Sequence, residues 1–253
     1  MHRFFVPPES VRQTPVVLKG EQAHQIVRVL RMRPGERALL LDNSGWAYEG
    51  TLDGYDEGSA RFRIAERCPA EGEPRTHITL YQAVLKGDRY GWALQKGTEI
   101  GISCFVPLIC ERSVVADLGA IDRRRERWAR IIQEAAEQSG RGRLPELAPA
   151  QLFASAVRAA QSHAGASSSE VLRLIPWEEA RTTRLRDALA GCNLPAGGRI
   201  ELYVGPEGGF TADEVDLAQG CGIMPVTLGP RILRSETAGL VAAAAILFAA
   251  GEI

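Results

Sequence analysis

Lysine is scarce in this chain of 253 residues: of 30 basic side chains only Lys19, Lys86 and Lys96 are lysines, and the rest are arginines. Cysteine is sparse too. The five (Cys68, Cys104, Cys110, Cys192 and Cys221) form no CxxC pair, which excludes a disulfide or zinc framework and points to reduced thiols in a cytosolic protein. Four histidines without HxxxH spacing give no metal site. No apolar run reaches the ~18 residues of a membrane span; the longest, Thr237–Ala250, falls short. The first residues have neither a long apolar stretch nor a small-residue cleavage site, so no secretory signal is expected. The G-x-x-x-x-G-K-[ST] phosphate loop, the G-x-G-x-x-G fingerprint and the G-x-S-x-G elbow are all missing, which disfavours classical nucleotide, dinucleotide and serine-hydrolase chemistry. Charge is balanced, 30 Lys+Arg against 31 Asp+Glu. What remains is an ordinary globular composition, 45% hydrophobic and 24% charged, enough for one large or two smaller domains.

Arginine offers a flat, bidentate fork that suits phosphates and base edges. Alanine and glycine are abundant as well, however, and a GC-rich genome explains the total. Position therefore matters more than number.

Residues 1–72 and 73–253 read differently. The first part carries strand-like runs at Pro15–Leu18, Arg37–Asp42, Trp46–Tyr55 and Ala60–Cys68, separated by Asn43-Ser44-Gly45 and Asp56-Glu57-Gly58. One helix is predicted over Glu21–Met32, with Ala23, Ile26, Val27 and Leu30 on one face. This pattern predicts a small barrel carrying one helix, followed by a polar linker at Pro69–Arg75. From Thr76 onward strands alternate with helices: Ile78–Leu85, Cys104–Cys110, Glu170–Ile175, Ile200–Val204 and Val226–Leu228 against helices near Tyr90–Ile100, Asp122–Ser139 and from Thr211. Thr211 and Glu214 have capping-box spacing, and Ser235 is placed to cap an Ala-rich final helix. Gly165–Ser169 reads as a short flexible loop. Such alternation implies a mostly parallel sheet with helices on both faces.

Two segments carry the chemistry. Val204-Gly205-Pro206-Glu207-Gly208-Gly209-Phe210 leaves a predicted strand through a glycine loop that lets a ligand approach the backbone. Taken alone it fits a bare strand–helix turn equally well. Leu228-Gly229-Pro230-Arg231-Ile232-Leu233-Arg234-Ser235-Glu236-Thr237-Ala238 again leaves a strand through Gly-Pro, then concentrates two arginines, a glutamate and two hydroxyls before a helix. The bland alternative is an Arg234–Glu236 ion pair at the helix start.

This pair of segments resembles the SPOUT methyltransferases, most closely the RsmE-type enzymes that methylate N3 of a uridine in 16S ribosomal RNA. The likeness extends to Arg3–Val6, His24–Arg33, Gln82–Arg89, Gln95–Gly101 and Glu134–Arg141, while Leu174-Ile175-Pro176-Trp177 matches only loosely. The resemblance implies a PUA-like RNA-binding barrel over residues 1–72 and an α/β SPOUT domain with a trefoil knot over 73–253. It implies S-adenosylmethionine as methyl donor, a homodimer, and 16S rRNA or the assembled small subunit as partner. It implies cofactor contacts from Leu174 and Pro176, from Gly205, Pro206, Glu207 and Gly208, and from Leu228, Gly229, Ile232, Leu233, Thr237 and Ala238. No membrane or metal is expected.

Uracil N3 must lose its proton before it attacks a sulfonium methyl. Its acidity lies roughly two units above neutral, so deprotonation costs about 3 kcal/mol. A cation at the uracil oxygens and a nearby carboxylate lower that cost. Arg234 is the expected cation, with Arg231 second, and Glu236 the expected base. For RNA, the local charge matters: residues 1–37 carry seven basic against three acidic side chains, residues 38–72 three against seven. His24, Arg28 and Arg31 at i, i+4, i+7 make a basic helical stripe that can track phosphates, beside the bland reading of a solvated face. Arg3, Lys86, Arg89 and Arg231 complete the expected RNA contacts. Two alternatives stand: a SPOUT enzyme acting on another RNA position, and a non-catalytic RNA-binding or ribosome-assembly factor.

Overall fold

The computed structural model describes residues 1–56, 58–163, 171–191 and 197–253. Glu57, the Gly165–Ser169 loop, Glu170 and Cys192 lie outside the described residues. The chain forms two compact units, Met1–Glu73 with Gln133–Leu144, and Pro74–Ile132 with Pro145–Ile253.

In the first unit β1 (His2–Phe5), β2 (Val16–Lys19), β3 (Arg37–Leu41), β4 (Trp46–Asp56) and β5 (Ser59–Pro69) make one curled sheet in the order β1-β3-β4-β5-β2. The sheet is a PUA-like half-barrel: β1 and β2 are its two edges. The β3–β4 hairpin turns at Asn43 and Gly45, both with positive φ, and Asp42 accepts from the Ser44 amide and hydroxyl at 3.0 and 2.5 Å. Burial raises the Asp42 pKa, but these bonds and the Tyr48 hydroxyl outweigh it and leave the carboxyl below its ordinary value. The core is Phe4, Val16, Leu18, Ile26, Leu40, Leu52 and Phe62.

The single helix predicted over Glu21–Met32 is shorter and irregular. α1 (Gly20–His24) passes into a π-helical stretch, Gln25–Val29, and ends before Arg31, which takes φ +52°. The widened turn still buries Ala23 and Ile26 against the sheet. Its consequence is that His24, Arg28 and Arg31, although exposed, stand on three different backbone conformations and share no regular i, i+4, i+7 face.

The second unit is built on β6 (His77–Ala83), α2 (Arg89–Ile100), β7 (Cys104–Ile109), α3 (Leu118–Asp122), α4 (Arg125–Ser139), β8 (Glu146–Leu147), β9 (Gln151–Leu152), α5 (Phe153–His163), β10 (Val171–Pro176), α6 (Leu185–Gly191), β11 (Arg199–Val204), α7 (Ala212–Gly220), β12 (Met224–Val226) and α8 (Ser235–Ala249). All strand pairs are parallel, in the order β12-β10-β11-β6-β7-β8, with β9 also on β7. Successive side chains of one strand enter opposite cores. Leu174, Leu202 and Val204 pack with Leu94, Trp128 and Ile246 of the helices on one face; Ile175 and Tyr203 pack with Val157 and Val215 of those on the other.

The predicted helix Asp122–Ser139 is α4, which starts three residues later at Arg125 because Asp122 closes a separate short helix, α3, capped by Asp117, and the chain turns at Arg123. α4 contributes to both units: Trp128, Ile131 and Ile132 pack in the second, and Ala136 packs with Phe5, Leu41 and Ala47 in the first. Its Arg125 donates to the Leu147 and Ala148 carbonyls, each at 2.7 Å. The last strand, predicted over Val226–Leu228, ends at Val226; Thr227 makes only an isolated bridge to Arg184. Cys68, Cys104, Cys110 and Cys221 are free, and burial pushes the Cys104 thiol up to about 12.

Candidate active site

Three loops leave the carboxyl ends of β10, β11 and β12 and enclose a cleft of about 660 Å³ in the second unit. The two glycine loops do not follow neighbouring strands: β10 lies between β11 and β12, so its own exit, Pro176-Trp177-Glu178, forms the middle of the cleft. A parallel sheet sends all its strand ends to one side, which is where such folds gather a site.

The loop after β11 is shaped by its glycines. Gly209 has φ +69°, and a Cβ there would run into the Glu178 carboxylate. The Gly205 Cα faces the Phe210 ring, leaving only 3.1 Å for a Cβ. The loop is tied down from outside: Arg112 Nη1 donates to the Gly208 carbonyl at 2.9 Å, and Glu207 accepts from the Lys86 amide at 3.0 Å and from Arg89 at 3.4 Å. It ends in a complete capping box, with Glu214 N–H donating to Thr211 Oγ1 at 3.2 Å and Thr211 N–H to Glu214 Oε2 at 3.0 Å.

In the loop after β12, Gly229 takes φ +116°, and Ile232 stands 86% exposed beside exposed Arg231 and Arg234. Ser235 does not cap α8. Arg234 occupies the cap position with extended backbone and no side-chain cap. The Ser235 hydroxyl instead donates to the Gly205 carbonyl and accepts from buried Gln82 Nε2 at 3.0 Å. The serine thereby couples the two glycine loops, an interaction with a partner thirty residues away that local spacing does not report. The Arg234–Glu236 ion pair is not formed. Glu236 lies 4.0 Å from Arg89 Nε, its side chain 12% exposed, in the first turn of α8 where the helix dipole favours a carboxylate. Two buried polar atoms of cleft residues have no hydrogen-bond partner, one donor and one acceptor: Trp177 Nε1 and Glu236 Oε2.

Residues 72–247 match the RNA methyltransferase domain, and residues 18–64 match the RNA methyltransferase PUA domain. A ribosomal RNA small subunit methyltransferase E of Synechocystis is 36% identical over 97% of this chain and 77% of its own. The chain belongs to this RNA methyltransferase family. The Bacillus subtilis member is 30% identical over 98% of this chain and 96% of its own. The Neisseria gonorrhoeae member, solved bound to S-adenosyl methionine, superposes with a TM-score of 0.83 at 33% identity, covering 98% of this chain and 97% of that one.

Of the family positions expected from sequence, the cleft gathers Pro176, Gly205, Pro206, Glu207, Leu228, Gly229, Ile232, Leu233 and Ala238, with Arg234, Glu236, Arg231 and Arg89. Four others in the same unit stand outside its lining. Leu174 is fully buried in the core, Gly208 turns its carbonyl to Arg112, Thr237 is half-buried in the first turn of α8, and Lys86 contributes an amide to Glu207. Arg3, His24, Arg28 and Arg31 belong to the other unit. Sequence reasoning missed Trp177, Glu178, Arg181 and Thr227 as cleft residues, and it gave Ser235, inside the chemistry-bearing segment, a capping role instead of its link to Gly205. The β10 exit gave the only signal, an aromatic and two acids directly after a buried strand.

Proposed function

We propose that this protein methylates N3 of a uridine in 16S rRNA of the small ribosomal subunit, with S-adenosylmethionine as donor. The observation that carries the reading is the meeting of both family loops in one cleft that Arg234 and Glu236 also line, with Glu236 Oε2 buried and unpartnered. The cleft suits the cofactor: its volume lies in the range of about 300–1,000 Å³ usual for such ligands, and it offers backbone at glycine loops, the free Trp177 donor and several carboxylates to a cationic ligand. The Gly205–Gly209, Leu228–Leu233 and Pro176–Trp177 loops would hold it, with Thr237 and Ala238 behind them and Leu174 and Gly208 supporting from outside the lining. When bound it supplies a positively charged, transferable methyl group.

The chain's own groups deal with the proton. Glu236 Oε2 accepts it from N3, and Arg234 stabilises the negative charge that spreads onto the uracil oxygens, with Arg231 beside it. The reading extends to RNA contacts through Arg3, His24, Arg28, Arg31 and Lys86, and to a division near residue 72 between an RNA-binding module and a methyltransferase domain. Family membership supports a trefoil knot in that domain, a homodimer and action in the cytoplasm, where small subunits are made.

Cofactor affinity and methyl transfer by Arg234→Ala and Glu236→Gln test the assignment. Both variants are expected to bind cofactor normally and to lose activity by about 100-fold or more. Full activity in Arg234→Ala with normal cofactor binding removes its role.

A further inference from the structure

Arg89 is the point where the two family loops meet electrostatically. It opens α2, donates to Glu207 Oε1 at 3.4 Å in the loop after β11, and places Nε 4.0 Å from Glu236 Oε1 in the first turn of α8, directly after the loop that follows β12. Glu207 is held independently by the Lys86 amide at 3.0 Å, so it anchors the arginine rather than being carried by it. Glu236 needs such a partner. Its side chain is 12% exposed, Oε2 has no hydrogen bond, and Arg234 forms no ion pair with it among the described residues. A carboxylate this buried is costly without a compensating cation.

We propose that Arg89 is a positioning residue for methyl transfer: anchored by Glu207, it compensates Glu236 through Oε1 and leaves Oε2 free to take the substrate proton. In that step the N3–H bond breaks, an O–H bond forms on Oε2, and the electron pair stays on N3 for the incoming methyl. The inference rests on the reading of Glu236 as base. It gives Arg89 a different task from the phosphate contact expected from sequence, and it gives Glu207 a role.

The test is a double-mutant cycle on the full-length protein, measuring kcat, the KM for RNA, cofactor affinity and the salt dependence of RNA binding. Because the Arg89 side chain is 46% exposed, its replacement leaves the fold intact. Arg89→Ala is expected to lower kcat by about 10-fold or more, with cofactor affinity and salt slope unchanged. Arg89→Lys recovers part of the rate, Glu207→Gln shows a smaller kcat loss of the same kind, and Arg89→Ala adds nothing in a Glu236→Gln background. The inference is overturned if the Arg89 and Glu236 losses multiply, or if the Arg89→Ala defect lies in RNA affinity with a salt slope reduced by about one phosphate. A fully active Glu236→Gln protein removes the base itself, and so is distinguishable from failure of the Arg89 role alone.

Discussion

At the scale of single residues, the cleft depends on atoms with no side-chain chemistry. Gly209 holds φ +69° against the Glu178 carboxylate. Gly209→Ala meets both the left-handed backbone and that carboxylate, so it is expected to cost about 1–2 kcal/mol and to weaken cofactor binding, read by thermal unfolding and calorimetric titration. Ser235→Ala leaves the backbone alone but removes the bridge from Gln82 to Gly205. It is expected to weaken cofactor binding by roughly tenfold, the worth of about one hydrogen bond, while Tm falls little. Glu137 in the first unit shows the cost of a buried charge. Burial raises its carboxyl above the ordinary 4.5, and repulsion from Glu134 adds to this, against the bonds it accepts from the Phe5 amide and Gln133. A carboxyl with a raised folded value destabilises the fold as pH rises through that value. Glu137→Gln keeps an acceptor for Phe5 and is expected to unfold at a higher temperature than the parent at pH 7, with the gap closing in acid below the ordinary 4.5.

At the scale of elements, what the sequence reveals is what short-range periodicity encodes. The capping box at Thr211 was legible because four consecutive residues contain it, and Thr211→Ala is expected to cost about 1 kcal/mol in thermal unfolding. Glu214→Ala is expected to cost more, since Glu214 also accepts from the Glu111 amide at 2.8 Å. The buried strands and α2 were legible as apolar runs and a helical face. α5 was not, because Ala156 and Ala160 of its buried stripe are too weakly apolar to stand out. The π-helical stretch was invisible for a different reason: Ala23, Ile26, Val27 and Leu30 fit an ordinary helix, and only packing on the half-barrel decides otherwise.

At the scale of the whole molecule, the sheet order lies beyond any local pattern. β10 inserts between β11 and β12, which makes the loosely matching Pro176–Trp177 segment the centre of the cleft. The two glycine loops were legible as a pair, whereas their coupling through Ser235 and Arg89 spans the fold. Binding to RNA is expected to separate from chemistry: Arg28→Glu should weaken RNA binding evenly across sequences and lower the salt slope by about one or more, with cofactor affinity unchanged.

The most direct measurement is transfer of a labelled methyl group from S-adenosylmethionine to unmodified small subunits, free 16S rRNA and tRNA, followed by nucleoside analysis. Label recovered as 3-methyluridine from the ribosomal substrate, and none from tRNA, is the result predicted. Label in any other nucleoside, or none on any RNA despite measurable cofactor binding, would contradict the account.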